Sequence, residues 1–90
     1  MLGDLLANLT DETTALETIL GAGDLKLLTA AQELAAAGGL DLASYVTQTV
    51  QRYTNEASDE EWVMLMGLLN RSQDPGTTCL KRALEHALRE

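Results

Sequence analysis

Residues 58–88 read SDEEWVMLMGLLNRSQDPGTTCLKRALEHAL, and this run spells two helices with a breaker between them. Ser58 stands three residues before Glu61, the spacing at which a serine hydroxyl and a glutamate carboxylate each satisfy a free backbone amide at a helix start. Asp59, Glu60 and Glu61 also suit the positive end of the helix dipole. A second start follows at Asp74-Pro75, where aspartate accepts from open amides and proline occupies a first-turn position that needs no donor. The spacing therefore predicts helices over 59–71 and 75–89.

Upstream, the same chemistry repeats. Asp41 precedes an amphipathic run in which Leu42, Tyr45, Val46, Thr49, Val50 and Tyr53 share a face, giving a helix over 41–55. Asp24 opens a helix over 24–37 with a stripe of Leu27, Leu28, Ala31, Leu34 and Ala35, ended by Gly38-Gly39. Before it, Leu5, Leu6 and Leu9 mark a helix over 2–8. Thr10-Asp11 starts another over 11–20, with Leu16, Ile19 and Leu20 on one face and Gly21-Ala22-Gly23 as its stop. These first two are open to being one kinked helix. The fold class is all-α, a single domain over 1–90 built as a small bundle of about five helices.

Composition agrees with this pattern. The chain has 90 residues, of which 18 are leucine and 12 alanine, against four valines and isoleucines together. Leucine and alanine lose little freedom in a helix, whereas strands draw on β-branched and aromatic side chains. The net charge is −8, carried unevenly, with −6 on residues 1–45 and −2 on residues 46–90. Such a surface repels phosphate, which argues against direct contact with nucleic acid or membrane and suits a protein partner. Cys79 is the single cysteine, so the simplest setting is a reducing cytoplasm. Asp4, Asp11 and Glu12 interrupt the opening leucines, unlike an export signal, and a charge-free run such as Leu34–Leu40 is far too short to span a bilayer.

The search for chemistry returns little. Cys79 and His86 are the only thiol and imidazole, and seven residues along one helix separate them by about 10 Å of rise. A structural zinc site needs about four such ligands. The acids Glu56, Asp59, Glu60 and Glu61 cluster where a helix start explains them. Gly21-Ala22-Gly23-Asp24-Leu25-Lys26 has the glycines and lysine of a phosphate cradle, but it lacks the preceding strand and sets an aspartate where the anion would lie. No catalytic, metal-binding or cofactor-binding residue is assigned, and no cofactor is expected.

The richest signal is the apolar surplus of 62–69. Trp62, Leu65, Met66 and Leu69 share one face, and Val63, Met64 and Leu68 spread around the rest. Either this helix is central and buried all round, or one of its faces meets another subunit. Trp62, Val63, Met64 and Met66 are the candidate interaction surface, with Trp62 as its natural anchor. Gly67, within this helix, reads as a mark of close helix packing. Lys81 and Glu85 are spaced to pair on the outer face of the last helix.

Residues 28–54, LTAAQELAAAGGLDLASYVTQTVQRYT, resemble over 29–54 the helix pair of ribbon-helix-helix regulators, through Gly38-Gly39, Leu42, Tyr45, Val46 and Val50. That family reads DNA with a basic strand before the first helix, and the corresponding position here holds Gly21-Ala22-Gly23-Asp24 with a single Lys26. Asp41-Leu42 is similar to the attachment motif of acyl carrier proteins, without the serine that carries the arm between them. As a whole the chain resembles small acidic all-helical bacterial proteins, which implies a fold and no activity. The expectation is a non-enzymatic interaction or regulatory module, as a monomer or homodimer. The alternative is an acidic module that mimics nucleic acid or blocks a basic nucleic-acid-binding partner.

Overall fold

Five carboxylate or hydroxyl side chains set where the helices begin. The computed structural model describes residues 2–89, which form six α-helices: α1 Leu2–Leu9, α2 Glu12–Gly21, α3 Leu25–Ala37, α4 Leu42–Glu56, α5 Asp59–Arg71 and α6 Pro75–Leu88. Asp11, Asp24, Asp41, Ser58 and Asp74 each occupy the N-cap and accept from the amide three residues on, at 2.8–3.3 Å. The count is six rather than about five because the Thr10-Asp11 junction is a true break. Asp11 is extended (φ −81°, ψ 124°), and the Thr10 hydroxyl donates to the Ala7 carbonyl at 2.7 Å, closing off α1.

The α3–α4 corner is set by backbone conformation. Gly39 has φ +71°, Leu40 N–H donates to the Ala35 carbonyl at 2.8 Å, and Gly39 N–H donates to the Ala36 carbonyl at 3.1 Å. This pair of bonds is a Schellman motif, which needs a left-handed residue that only glycine adopts without cost.

α4 and α6 lie at the centre, α2 packs across both, α1 and α3 flank them, and α5 leans on α6 at the edge. The core holds Leu9, Ile19, Leu27, Val46, Val50, Tyr53, Leu65, Cys79, Leu80 and Leu84, with small Ala15, Ala31 and Ala83 at the helix contacts. Its Cα radius of gyration, 12.1 Å, matches the roughly 12 Å of a well-packed chain of this length.

Several expected inward residues lie outside. Leu20, Leu34 and Leu88 are exposed because each sits at the border of its stripe, and the neighbouring helices meet Ala15 with Ile19, Ala31 with Ala35, and Leu80 with Leu84 instead. Lys81 reaches across to Asp24, 3.5 Å away at the start of α3, so its ion pair is between helices rather than with Glu85. α5 is not the central helix.

Candidate functional site

α5 has two unlike faces, and the inner one fixes the outer. Inward, Leu65 is fully buried, and Leu69 and Trp62 pack on the core. The Trp62 ring meets Tyr53 of α4 with centroids 5.8 Å apart and planes tilted by 56°. Trp62 is therefore half-buried under the helix, while its three companions in the expected surface stand clear of it.

Beside Trp62, Glu61 turns inward to a polar cluster. Arg82 of α6 clasps it with two parallel bonds, Nε to Oε2 at 2.6 Å and Nη2 to Oε1 at 2.8 Å, and the Tyr53 hydroxyl donates to Oε2 at 2.6 Å. The Arg82 and Glu61 side chains are only 15% and 11% exposed, so this pair is far less screened than a surface ion pair. The Arg82 hydrogen bonds, with help from the Tyr53 hydroxyl, hold the Glu61 carboxyl down at about 2 against burial that opposes them. Arg82 is raised in turn by the Glu61 bond, and burial with the same carboxylate raises Tyr53.

This corrects the expected capping box. Ser58 Oγ accepts from Glu61 N–H at 3.1 Å, but the Glu61 carboxylate has gone to Arg82 and Tyr53, so only half of the reciprocal arrangement forms. A charged, bidentate guanidinium outbids a lone amide for the carboxylate. The helix-start reading suffices for Asp59 and Glu60, which stay exposed in the first turn, and falls short for Glu61.

Outward, α5 presents Val63, Met64 and Met66 at 72%, 52% and 53% exposure. A depression of about 500 Å³ lined by Asp59, Glu60, Val63 and Met64 lies on this face. Met64 also accepts from Arg82, Nη2 to Sδ at 3.0 Å, which ties its thioether to the polar cluster. Gly67 lies on the same face, and a Cβ added there would meet only the Arg71 guanidinium at 3.9 Å. It does not mark close packing within the chain, since no other helix lies over it.

Elsewhere the candidate reactive groups are occupied. Cys79 is fully buried, and burial pushes its thiol up to about 11, so it is a packing residue rather than a ready nucleophile. His86 meets Tyr53 edge-on at 5.3 Å. The Asp24 carboxylate fills the start of α3 by accepting from Leu27 N–H at 3.0 Å, where a bound phosphate would have to sit. Among the described residues no group of three or more His, Cys, Asp or Glu converges as metal ligands would, and every buried side-chain nitrogen and oxygen has a partner. No described helix is long and apolar enough to cross a membrane.

Sequence reasoning missed the Tyr53–Glu61–Arg82 cluster. The only signal was faint: Arg82 shares a line of α6 with Cys79 and His86, beside the Leu80–Ala83–Leu84 stripe rather than on it. No protein-family model, curated protein or solved structure matches the chain.

Proposed function

We propose that this chain is a non-enzymatic interaction or regulatory module that meets a protein partner through the outer face of α5. The observation that carries the reading is the contiguous exposure of Val63, Met64 and Met66 on a helix whose other face is locked in place. Scattered exposed leucines such as Leu20, Leu25 and Leu34 are ordinary surface, whereas three large apolar side chains within one turn form a patch. Methionine suits such a patch because its flexible thioether adapts to the surface it meets. A buried free thiol suits the reducing, cytoplasmic setting proposed for the chain.

The nucleic-acid-mimic reading has weaker support. Of the seven acids in residues 1–45, Asp11, Asp24 and Asp41 are engaged as helix caps, and their carboxylates are held below the usual range chiefly by the backbone amides of Thr14, Leu27 and Ser44. Mimicry needs carboxylates free to stand in for phosphates.

The test compares the native chain with a Val63→Asp/Met66→Asp variant, both verified as folded by circular dichroism. A protein that stays bound to the native chain during purification is identified and remeasured with pure components, the chain itself included. The reading expects the variant to bind at least about tenfold more weakly, because two exposed apolar contacts are replaced by charges. Equal binding by both chains would remove α5 from the interface and the reading with it.

A further inference from the structure

We infer that the occupant of this face is a second copy of the chain, its α5 laid antiparallel on the first so that Val63 of each copy seats over Gly67 of the other. This inference rests on the reading of α5 as an interaction surface and names its partner. Three features of α5 support it together.

The first is the shape of the face. At 3.6 residues per turn, Asp59, Val63, Met66 and Asn70 form one outward line and Glu60, Met64, Gly67 and Arg71 the line beside it. Val63 and Gly67, one turn apart, run along the middle, and Met64 and Met66 stand on either side. The middle is thus a projection followed by a notch. The notch is open, since a Cβ at Gly67 would meet nothing but the tip of Arg71. A two-fold axis at the level of Leu65 places each projection over the other copy's notch, and the missing side chain lets the axes approach to about 8 Å.

Charge is the second feature. The face is acidic at its start, with Asp59 and Glu60, apolar in the middle, and ends on Asn70 and Arg71. A two-fold contact must be complementary to itself. In the antiparallel arrangement Glu60 meets the second copy's Arg71 and Asp59 its Asn70, the two Met64 side chains meet on one flank and the two Met66 side chains on the other, and the helix dipoles oppose. A parallel pair would set Asp59 and Glu60 against their own counterparts.

The third is rigidity. The Glu61–Arg82 clasp and the Trp62–Tyr53 contact hold α5 on α6 and α4, so the face is already formed before association. The contact is one helix long, about 20 Å, which falls below the roughly 800 Å² per partner of a standard interface. The dimer is accordingly reversible and in the micromolar range.

Two copies of net charge −8 repel each other at long range, while the rim pairs are exposed and contribute little. Added salt screens the repulsion and leaves the apolar centre intact. Self-association therefore tightens with salt, whereas binding of a basic partner to the acidic surface would loosen.

Sedimentation equilibrium and a mixed cross-linking experiment test the proposal on the full chain. The native protein is expected to reach a monomer–dimer equilibrium that strengthens severalfold with salt. Val63→Asp is expected to weaken it at least about a hundredfold, since both copies then bring a charge into the apolar centre. Gly67→Leu fills the notch and weakens it similarly. Val63 is exposed, so its variant keeps the fold, checked by circular dichroism. For cross-linking, chains carrying Val63→Cys are mixed with chains carrying Gly67→Cys under mild oxidation, with native Cys79 buried and out of reach. The mixture is expected to form the disulfide much faster than either chain alone. A native protein that stays monomeric at millimolar concentration overturns the dimer, as does Val63→Cys cross-linking fastest to itself. If the dimer is absent and Val63→Asp still abolishes binding of another purified protein, the proposed surface stands and only the second copy falls. A dimer indifferent to Val63→Asp and Gly67→Leu would overturn both.

Discussion

Replacing Glu61 by glutamine removes one charge from the clasp that holds α5 and changes almost no volume. The native carboxyl titrates at about 2 in place of its ordinary 4.5. At about 1.4 kcal/mol per unit, the native state favours the ionised form by about 3 kcal/mol. The Arg82 bonds are the main cause, so the same figure describes the pair and is not to be counted again for the arginine. With a folded value below the unfolded one, this stabilisation is complete above pH 4.5 and fades as pH falls toward 2. Glu61→Gln is therefore expected to lower stability by about 2–3 kcal/mol at neutral pH, because Arg82 loses its counter-charge while remaining 15% exposed. The melting temperature should drop by about 10–20 °C for a domain of this size. Urea unfolding of both chains at a series of pH values gives the sharper check. The cap carboxylates of Asp11, Asp24 and Asp41 titrate in both proteins and cancel in the difference. Between about pH 5 and pH 3 the gap between native and variant should narrow by about 2 kcal/mol. A gap that stays constant across that interval, or a neutral-pH cost below about 0.5 kcal/mol, would refute the reasoning.

Three further perturbations follow from the same structure. Gly39→Ala forces a side chain into φ +71°, so stability should fall by about 1–2 kcal/mol, and thermal unfolding that is unchanged would contradict the Schellman corner. Gly67→Ala should instead raise monomer stability by about 1 kcal/mol in dilute solution, because the position is helical and nearly unobstructed; a loss would mean that something does pack there. Native Cys79 should react with a thiol reagent at least about a thousandfold more slowly than in denatured chain, since burial both hides the thiol and disfavours the thiolate; rapid native labelling would contradict its place in the core.

The parts of this fold that were legible in the sequence depend on neighbours along the chain. A cap bonds three residues away, so Asp24, Asp41, Ser58 and Asp74 could be read directly, and the stripe of Val46, Val50 and Tyr53 follows from helical period. What escaped depends on residues brought together by packing. Glu61 and Arg82 are 21 positions apart, and nothing local distinguishes a carboxylate that completes a capping box from one that turns to an arginine on another helix. Lys81 likewise had Glu85 one turn away and found Asp24. The composition of α5 was visible, but not its place at the edge of the bundle. An apolar circumference alone cannot distinguish a central helix from one with a face for a partner. Gly67 was read as a mark of close helix packing, yet no helix of this chain lies over it.

The central claim is that the outer face of α5 is where this chain meets another protein, in the first instance its own copy. Amide NMR spectra recorded while the native protein is diluted from millimolar to micromolar concentration test it most directly. The account predicts concentration-dependent shifts that cluster on residues 59–71, greatest around Val63 and Gly67, and that vanish in Val63→Asp. Spectra that do not change with concentration, or changes that gather on α2 and α3 and leave α5 still, would contradict it.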